Sequence, residues 1–441
     1  VNATLVWVAA LAAPTSAGAA QPDKPSETLI ALSVRPMPAP RPALRYQLLP
    51  ELSEMTPGNP IPAYLRCMLD QDFSANEETL PPAALRAADR AARLDKPDWQ
   101  LLPKLKSDGI GLLLPDLQKM RSIAAGLQAR FRDEIARGRF DEALVTAKTM
   151  FALSRHLGEH PTVIGSLVGI AVAFITLGPV EEMIEQPWCP NLYWALTHLP
   201  APLISLQKGL EGERILIHVE LVERAGLSET DPMTPEQLKK FVGYLERLLE
   251  EAQPKKDSKS LTRAFIDVRA KDEQYLAGAR ERLVEYGIAA ERVAKFPPEQ
   301  VILLDEKRKY EERRDEEMKL LVLPLWEMDA QATTPRRLRV PGLFDGLLGF
   351  YQKVRWAQAR LEQKVALLRQ VEALRMYAAT HDGKFPEKLD DLGVPLPVDP
   401  VTGKPLRYQL EGETAHVRGT PPRGAENQPT FNLHYQITIR K

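Results

Sequence analysis

The chain has 441 residues, 44% of them hydrophobic and 27% charged, with a formal net charge of -1. That length supplies material for two or three domains with a real core. The near-neutral charge excludes a general binder of nucleic acid or anionic membrane, which needs a concentrated excess of Lys and Arg, and the small cluster Arg336, Arg337 and Arg339 does not reverse it.

The N-terminus reads as an export signal over residues 1–20. Thr4 to Ala13 is an apolar stretch of the right length, and Ala17-Gly18-Ala19-Ala20 offers small residues for cleavage before Gln21, although no Lys or Arg precedes the apolar part. A periplasmic, cell-envelope or secreted location is therefore expected. In such an oxidising compartment Cys67 and Cys189 permit one disulfide; two separately buried thiols are the other arrangement.

Residues 21–110 form an extended, Pro-rich segment with short helices. Thr28 to Val34 has strand character and is followed by Pro36, Pro38, Pro40 and Pro42, a density that forbids helix and fixes extended backbone. Ala43 to Leu49 alternates like a second strand before the turn signal Pro57-Gly58-Asn59-Pro60. Short helices are expected at 82–92 and 101–106, ahead of Gly109 and Gly111.

A helical body spans 111–333. Leu117, Met120, Ile123, Ala124, Leu127, Phe131 and Ile135 step by three and four along one face of a helix that ends at Gly138. Phe140 to Leu157 supplies a second helix, whose opening resembles the second half of a tetratricopeptide hairpin; nothing similar recurs about 34 residues on, so one hairpin is expected rather than an array. Pro161 to Leu177 is then the longest uncharged apolar run outside the N-terminus. It falls short of the roughly 20 residues of a membrane span, and Gly178-Pro179, Glu181 and Glu182 follow at once, so a buried core helix ending at Gly178 is expected. Gly165 and Gly169 share a face where another backbone could approach.

Between these helices His156, Glu159 and His160 match H-x-x-E-H, the inverted zinc-protease pattern. That chemistry needs both histidines on one continuous helix, a Glu as general base and a third ligand from elsewhere. Gly158 inside the motif and Pro161 after it break the helix instead, so these three residues are the sequence's only metal candidates and no cofactor is expected. Trp188, Tyr193 and Trp194 follow in a Pro-framed loop and are expected to pack rather than bind. Helices resume at 203–225 and 235–252, the latter with Thr234 as cap, Pro235 in its first turn and Gln237 to complete a capping box. From Ser258 to Met328 the chain is charged and helical. Lys307 to Glu317 places opposite signs three and four apart, the pattern of a solvated helix, and neighbouring carboxylates such as Glu316 and Glu317 point too far apart to share a substrate.

The last segment, 334–441, opens with the longest expected helix, 343–380, with Arg355, Arg360, Glu362 and Lys364 outward. Then come Ala373-Leu374 with Tyr377, Gly383-Lys-Phe-Pro386, Leu389 to Leu392, Leu396-Pro-Val-Asp-Pro400 and Gly403-Lys-Pro-Leu-Arg-Tyr408, with Leu406 to Leu410 set to pair with Thr414 to Arg418 around Gly412. This stretch resembles the globular part of major type II secretion pseudopilins, which implies a long helix followed by a small β module. The leading helix is amphipathic and lies far from the N-terminus, so filament assembly does not carry over. The family's calcium loop does not either, since 419–430 offers only Glu426 and Asn427. The whole architecture is similar to uncharacterised exported proteins of planctomycete-type bacteria. The pentapeptide Leu-Arg-Tyr-Gln-Leu occurs at 44–48 and again at 406–410; the two copies are either paired strands of one sheet or a coincidence.

The expected fold is mainly α: an irregular multi-helix body, an extended Pro-rich N-terminal segment and a small C-terminal α+β module of long helix plus β-hairpin. The leading function is a non-enzymatic envelope scaffold or interaction protein with a protein partner in the cell envelope and no membrane span after signal removal. The alternative is a metal-dependent hydrolase using His156, Glu159 and His160.

Overall fold

In the computed structural model the residues described are 27–67, 80–252, 258–331, 342–344 and 351–440. The segment expected to be an export signal, the Arg336 cluster, the boundary near 333 and the first turns expected of the long C-terminal helix lie outside them. The fold is mainly α, with a small four-stranded sheet. The helices are α1 (Pro60–Arg66), α2 (Pro82–Ala91), α3 (Leu102–Asp108), α4 (Pro115–Ala136), α5 (Phe140–Gly158), α6 (Val163–Ile184), α7 (Tyr193–Thr197), α8 (Gln207–His218), α9 (Pro235–Ala252), α10 (Ser258–Ala270), α11 (Glu273–Glu285), α12 (Ala290–Val293), α13 (Pro298–Met318), α14 (Leu325–Gln331) and α15 (Tyr351–Ala378). The strands are β1 (Thr28–Val34), β2 (Arg407–Glu411), β3 (Thr414–Arg418) and β4 (Leu433–Ile439).

α6 is the apolar run, packed against α4, α5, α8 and α15. It starts where Thr162 Oγ1 accepts from the Gly165 amide at 3.2 Å, a side-chain cap that satisfies one of the orphan donors of a helix start. Its most apolar window has a mean hydropathy of 2.2 and is 72% buried in the protein. The expected stop at Gly178 does not occur: the helix runs through Pro179 to Ile184. Proline there removes the N–H that would bond the carbonyl four residues back. The Gln128 side-chain amide from α4 supplies the missing donor, reaching Ile175 O at 3.0 Å. At Gly169 a Cβ would sit 2.7 Å from Ser154 O, so glycine there is what lets α5 lie against α6.

The expected stripe on α4, from Leu117 to Ile135, is buried throughout, and the turn at Gly138 has φ +68°. Two other expectations hold only in part, for a common reason: on α13 Glu312 and Glu316 are exposed as expected, but others are not. Lys307 and Arg314 on α13 are buried rather than solvated, as are Asp305 and Glu306 just before them. α10 and α11 cover this helix, and each charge finds a partner: Arg282 and Lys309 reach Asp305 at 2.8 and 2.7 Å, and Lys307 reaches Glu311 and Glu229 at 2.7 and 3.0 Å. On α15 the four residues expected to face outward instead meet neighbours. Arg355 is buried against Glu362 and Leu323 O, Lys364 pairs with Glu181 at 3.1 Å, and the Arg360 guanidinium lies over the Phe174 ring. Helices on several sides and the sheet pack around α15, so these four residues meet protein neighbours, whereas Gln352 and Lys353 in its first turn are exposed. The helix expected at 203–225 starts later, at Gln207, and ends in a π-helical turn, Val219–Arg224.

The sheet order is β1-β4-β3-β2, with β1 parallel to β4 and the other pairs antiparallel. β2 and β3 form the expected hairpin around Gly412, at φ +61°. Ala415, Val417, Tyr435 and Ile437 alternate inward to the core, where β3 and β4 meet α15. The two ends of the chain thus share one sheet, through 28–34 and 433–439 rather than through the repeated pentapeptide. The copy at 44–48 is a turn region, in which Arg45 N donates to Pro42 O at 3.1 Å, and Ala43 to Leu49 forms no strand.

A buried knot fixes the exit from β1. The fully buried Arg375 of α15 donates to Glu372 at 2.7 Å, to Arg35 O at 3.1 Å and to Cys189 O at 3.1 Å. Glu372 in turn accepts from Leu192 N at 3.2 Å. In the C-terminal module the buried Asp399 accepts from Gln363 Nε2, Val401 N and Thr420 N, so the acidic residue of the Leu-Pro-Val-Asp-Pro motif is a structural hub. Cys67 and Cys189 are both buried free thiols; no disulfide joins them.

Candidate functional site

The His156, Glu159 and His160 segment is not a continuous helix. α5 ends at Gly158, Glu159 caps it, and His160 lies beyond, its amide bonded to Leu157 O at 3.1 Å. His156 Nδ1 faces the buried Tyr64 hydroxyl at 3.2 Å, whereas His160 Nδ1 faces Thr162 Oγ1 at 2.9 Å. Burial takes both rings down from the ordinary histidine value, His156 to about 4 and His160 to about 3, with Arg155 adding to the effect at His156. Both are therefore neutral near pH 7. Among the described residues no group of three or more His, Cys, Asp and Glu side chains is placed to hold a metal ion.

His160 does line a recess of about 310 Å³ that the sequence did not announce. Its floor is Trp99, Leu112, Leu117 and His160, all buried. Trp99 is fixed from two sides: its indole N–H donates to His156 O at 3.0 Å, and its ring meets His160 edge-on with centroids 4.6 Å apart. The wall is α3 and the turn Gly109–Gly111. The buried Glu220 of the π turn fixes that turn by accepting from Ile110 N at 2.8 Å. A Cβ on Gly109, at φ +58°, would collide with the Glu220 carboxylate, so this wall requires glycine. The lip is apolar as well: Leu113 is 68% exposed. Three charges complete the lining, Lys104, Asp108 and Asp116.

Gln100, next to Trp99, adopts φ +51°, a left-handed backbone that is costly for a residue with a Cβ. Asp98 Oδ1 holds it by accepting the Gln100 amide at 3.0 Å. Local strain of this kind gathers at binding and switching sites. Trp188 also has a left-handed backbone and stands 78% exposed, contrary to the packing expected of it, whereas Tyr193 is fully buried as expected.

A second recess of about 270 Å³ lies between α9, α10 and the start of α13, lined by Leu238, Val242, Ile266 and Pro297 with Lys239, Arg263, Asp267 and Glu299. It has neither an aromatic floor nor an exposed leucine on its lip. The signal that could have pointed to the first recess is the run Leu112-Leu113-Leu114-Pro115. Three leucines before a helix start are more than one buried face can absorb, and the middle one faces solvent. No family model matches the chain, and neither a curated protein nor a solved structure is similar to it, so a functional reading rests on this geometry.

Proposed function

We propose that this is a non-enzymatic interaction or scaffold protein of the cell envelope, and that the recess over Trp99 and His160 receives an apolar side chain of a protein partner. The observation that carries it is the exposed Leu113 beside a buried aromatic floor. Anchor side chains seat in such desolvated hollows and dominate interface energetics. A volume of about 310 Å³ lies at the small end of ligand pockets and suits one large side chain. Two carboxylates against one ammonium on the lining favour a basic residue beside that anchor. The envelope location rests on the export-type N-terminus read from the sequence. The hydrolase reading has less support, because the helix ends at Gly158 between the two histidines and, among the described residues, no third ligand stands with them.

Short peptides with one Phe or Leu and a flanking Lys test the reading. Saturable quenching of tryptophan fluorescence is expected with wild type and not with Leu113→Asp or Trp99→Phe. A partner from an envelope fraction should likewise be retained by wild type and lost by Leu113→Asp. Equal retention by both would remove the recess from the interaction. Near-stoichiometric zinc that disappears in His160→Ala would decide for the hydrolase.

A further inference from the structure

Four side chains run in one line across the outer face of the sheet, hydrogen-bonded from Glu27 through His434 to His416 and continued by a longer contact to Glu411. His434 Nδ1 lies 2.9 Å from Glu27 Oε2, His434 Nε2 lies 2.9 Å from His416 Nδ1, and His416 Nε2 lies 3.6 Å from Glu411 Oε2. They come from all four strands or their immediate ends: Glu27 precedes β1, Glu411 closes β2, His416 is on β3 and His434 is on β4. Both rings are buried, at 9% and 7% exposure.

We propose that this line is an acid-sensitive clasp for the start of β1, closed while the histidine pair carries at most one added proton and opened by the second. The proton positions follow from the acceptors. The Glu27 carboxylate can only accept, so His434 carries its hydrogen on Nδ1 and presents a lone pair at Nε2. That lone pair takes the Nδ1 hydrogen of His416, leaving His416 Nε2 as the free basic site, turned toward Glu411. One added proton therefore fits without breaking a contact and gains an ion pair. A second has only His434 Nε2 to occupy, where it would set N–H against N–H at 2.9 Å and place two cationic rings side by side. Arg418, whose Nε is 3.8 Å from Glu27, adds a third positive charge. Burial first, then Arg418, accordingly holds His434 below the ordinary histidine value, with Glu27 opposing. A depressed histidine stabilises the fold above its ordinary value of 6.5 and loses that contribution as pH falls below it.

The opening is local. Leu32 and Val34 anchor the far half of β1 in the core, while Leu29 is 54% exposed and pairs with His434. Acid should free the first residues of β1 from β4 and leave the rest in place.

Hydrogen exchange followed by mass spectrometry reads this out, corrected for the pH dependence of intrinsic exchange. From pH 7 to pH 5, protection of peptides covering 27–31 and 432–435 is expected to fall about tenfold more than that of peptides covering α6. His416→Asn, which removes the second imidazole, should show no such excess. Glu27→Gln, which keeps an acceptor but loses the countercharge, should open at higher pH than wild type. A flat wild-type profile, loss in step with α6, or an unaltered profile in His416→Asn would each overturn the clasp.

Discussion

α6 and α15 are both central helices, and they are buried by opposite means. α6 has no Lys or Arg and places its carboxylates only near its C-terminal end, so its burial follows from composition. α15 carries Arg355, Gln358, Gln363, Gln370, Glu372 and Arg375, every one of them buried. Its burial depends on partners brought from distant segments: Ile204 O for Gln358, Asp399 for Gln363, and Arg35 O with Cys189 O for Arg375. An apolar helix needs only a greasy neighbour; a polar one needs particular atoms in particular places.

The sharpest way to break that contrast is at Arg375. Arg375→Met leaves the fully buried Glu372 carboxylate without its cation, and removal of one partner of a buried pair costs about 3–5 kcal/mol. Urea unfolding of the purified protein should show a loss of that size. The double variant Arg375→Met with Glu372→Leu should recover part of it, because no charge remains buried. It should not recover all, since Leu192 N and the carbonyls of Arg35 and Cys189 lose their partners. A double variant no better than the single one would mean that the backbone contacts, rather than the charge pair, hold the knot.

A smaller effect per group is expected beside α6, on acidification. His156 and His160 are held neutral at about 4 and about 3, below the ordinary 6.5, so their contribution is present above pH 6.5 and lost as pH falls below it. At pH 5 each should cost about 2 kcal/mol relative to pH 7.5, from roughly 1.4 kcal/mol per pH unit. His156→Gln keeps a side-chain acceptor for the Tyr64 hydroxyl and should remove about 2 kcal/mol of the acid loss while changing little at pH 7.5. If the variant loses as much stability in acid as wild type, these rings are not where the proton acts.

The same contrast explains what the sequence made legible. The stripe on α4, the α5 helix ending at Gly158, the capped start of α9 and the hairpin at Gly412 all follow from local signals: periodicity, breakers and turn residues. The helix through Pro179 was not legible, because the Gln128 amide that makes it tolerable comes from 47 residues away. Nor were the buried charges of α13 and α15, since a run such as Lys307 to Glu317 has the same spacing whether solvent or another helix faces it. The recess was half legible. His160 and Trp99 are visible as residue types, but only the fold brings the α3–α4 turn over them. The pairing of β1 with β4 spans nearly the whole chain, and no local pattern chooses between Thr28–Val34 and Ala43–Leu49 as the strand that closes the sheet.

The finest cut lies within α15, between two glutamines that composition cannot tell apart. Gln363 is 1% exposed and its amide donates to Asp399 Oδ1 and Thr420 O, both at 2.9 Å. Gln370, two turns on and also 1% exposed, has no partner among the described residues for either its amide nitrogen or its oxygen. A buried polar group without a partner carries its desolvation cost uncompensated, whereas an apolar side chain of similar shape does not. Gln370→Met should therefore stabilise the protein by about 1–2 kcal/mol, and Gln363→Met should destabilise it by about 1–3 kcal/mol. Thermal and urea unfolding of the two variants gives both signs in one experiment. Opposite signs mean that polar burial on this helix stands on partners residue by residue; a loss in both would mean that Gln370 binds something its immediate neighbours do not supply, such as a trapped water, and that α15 is satisfied along its whole length.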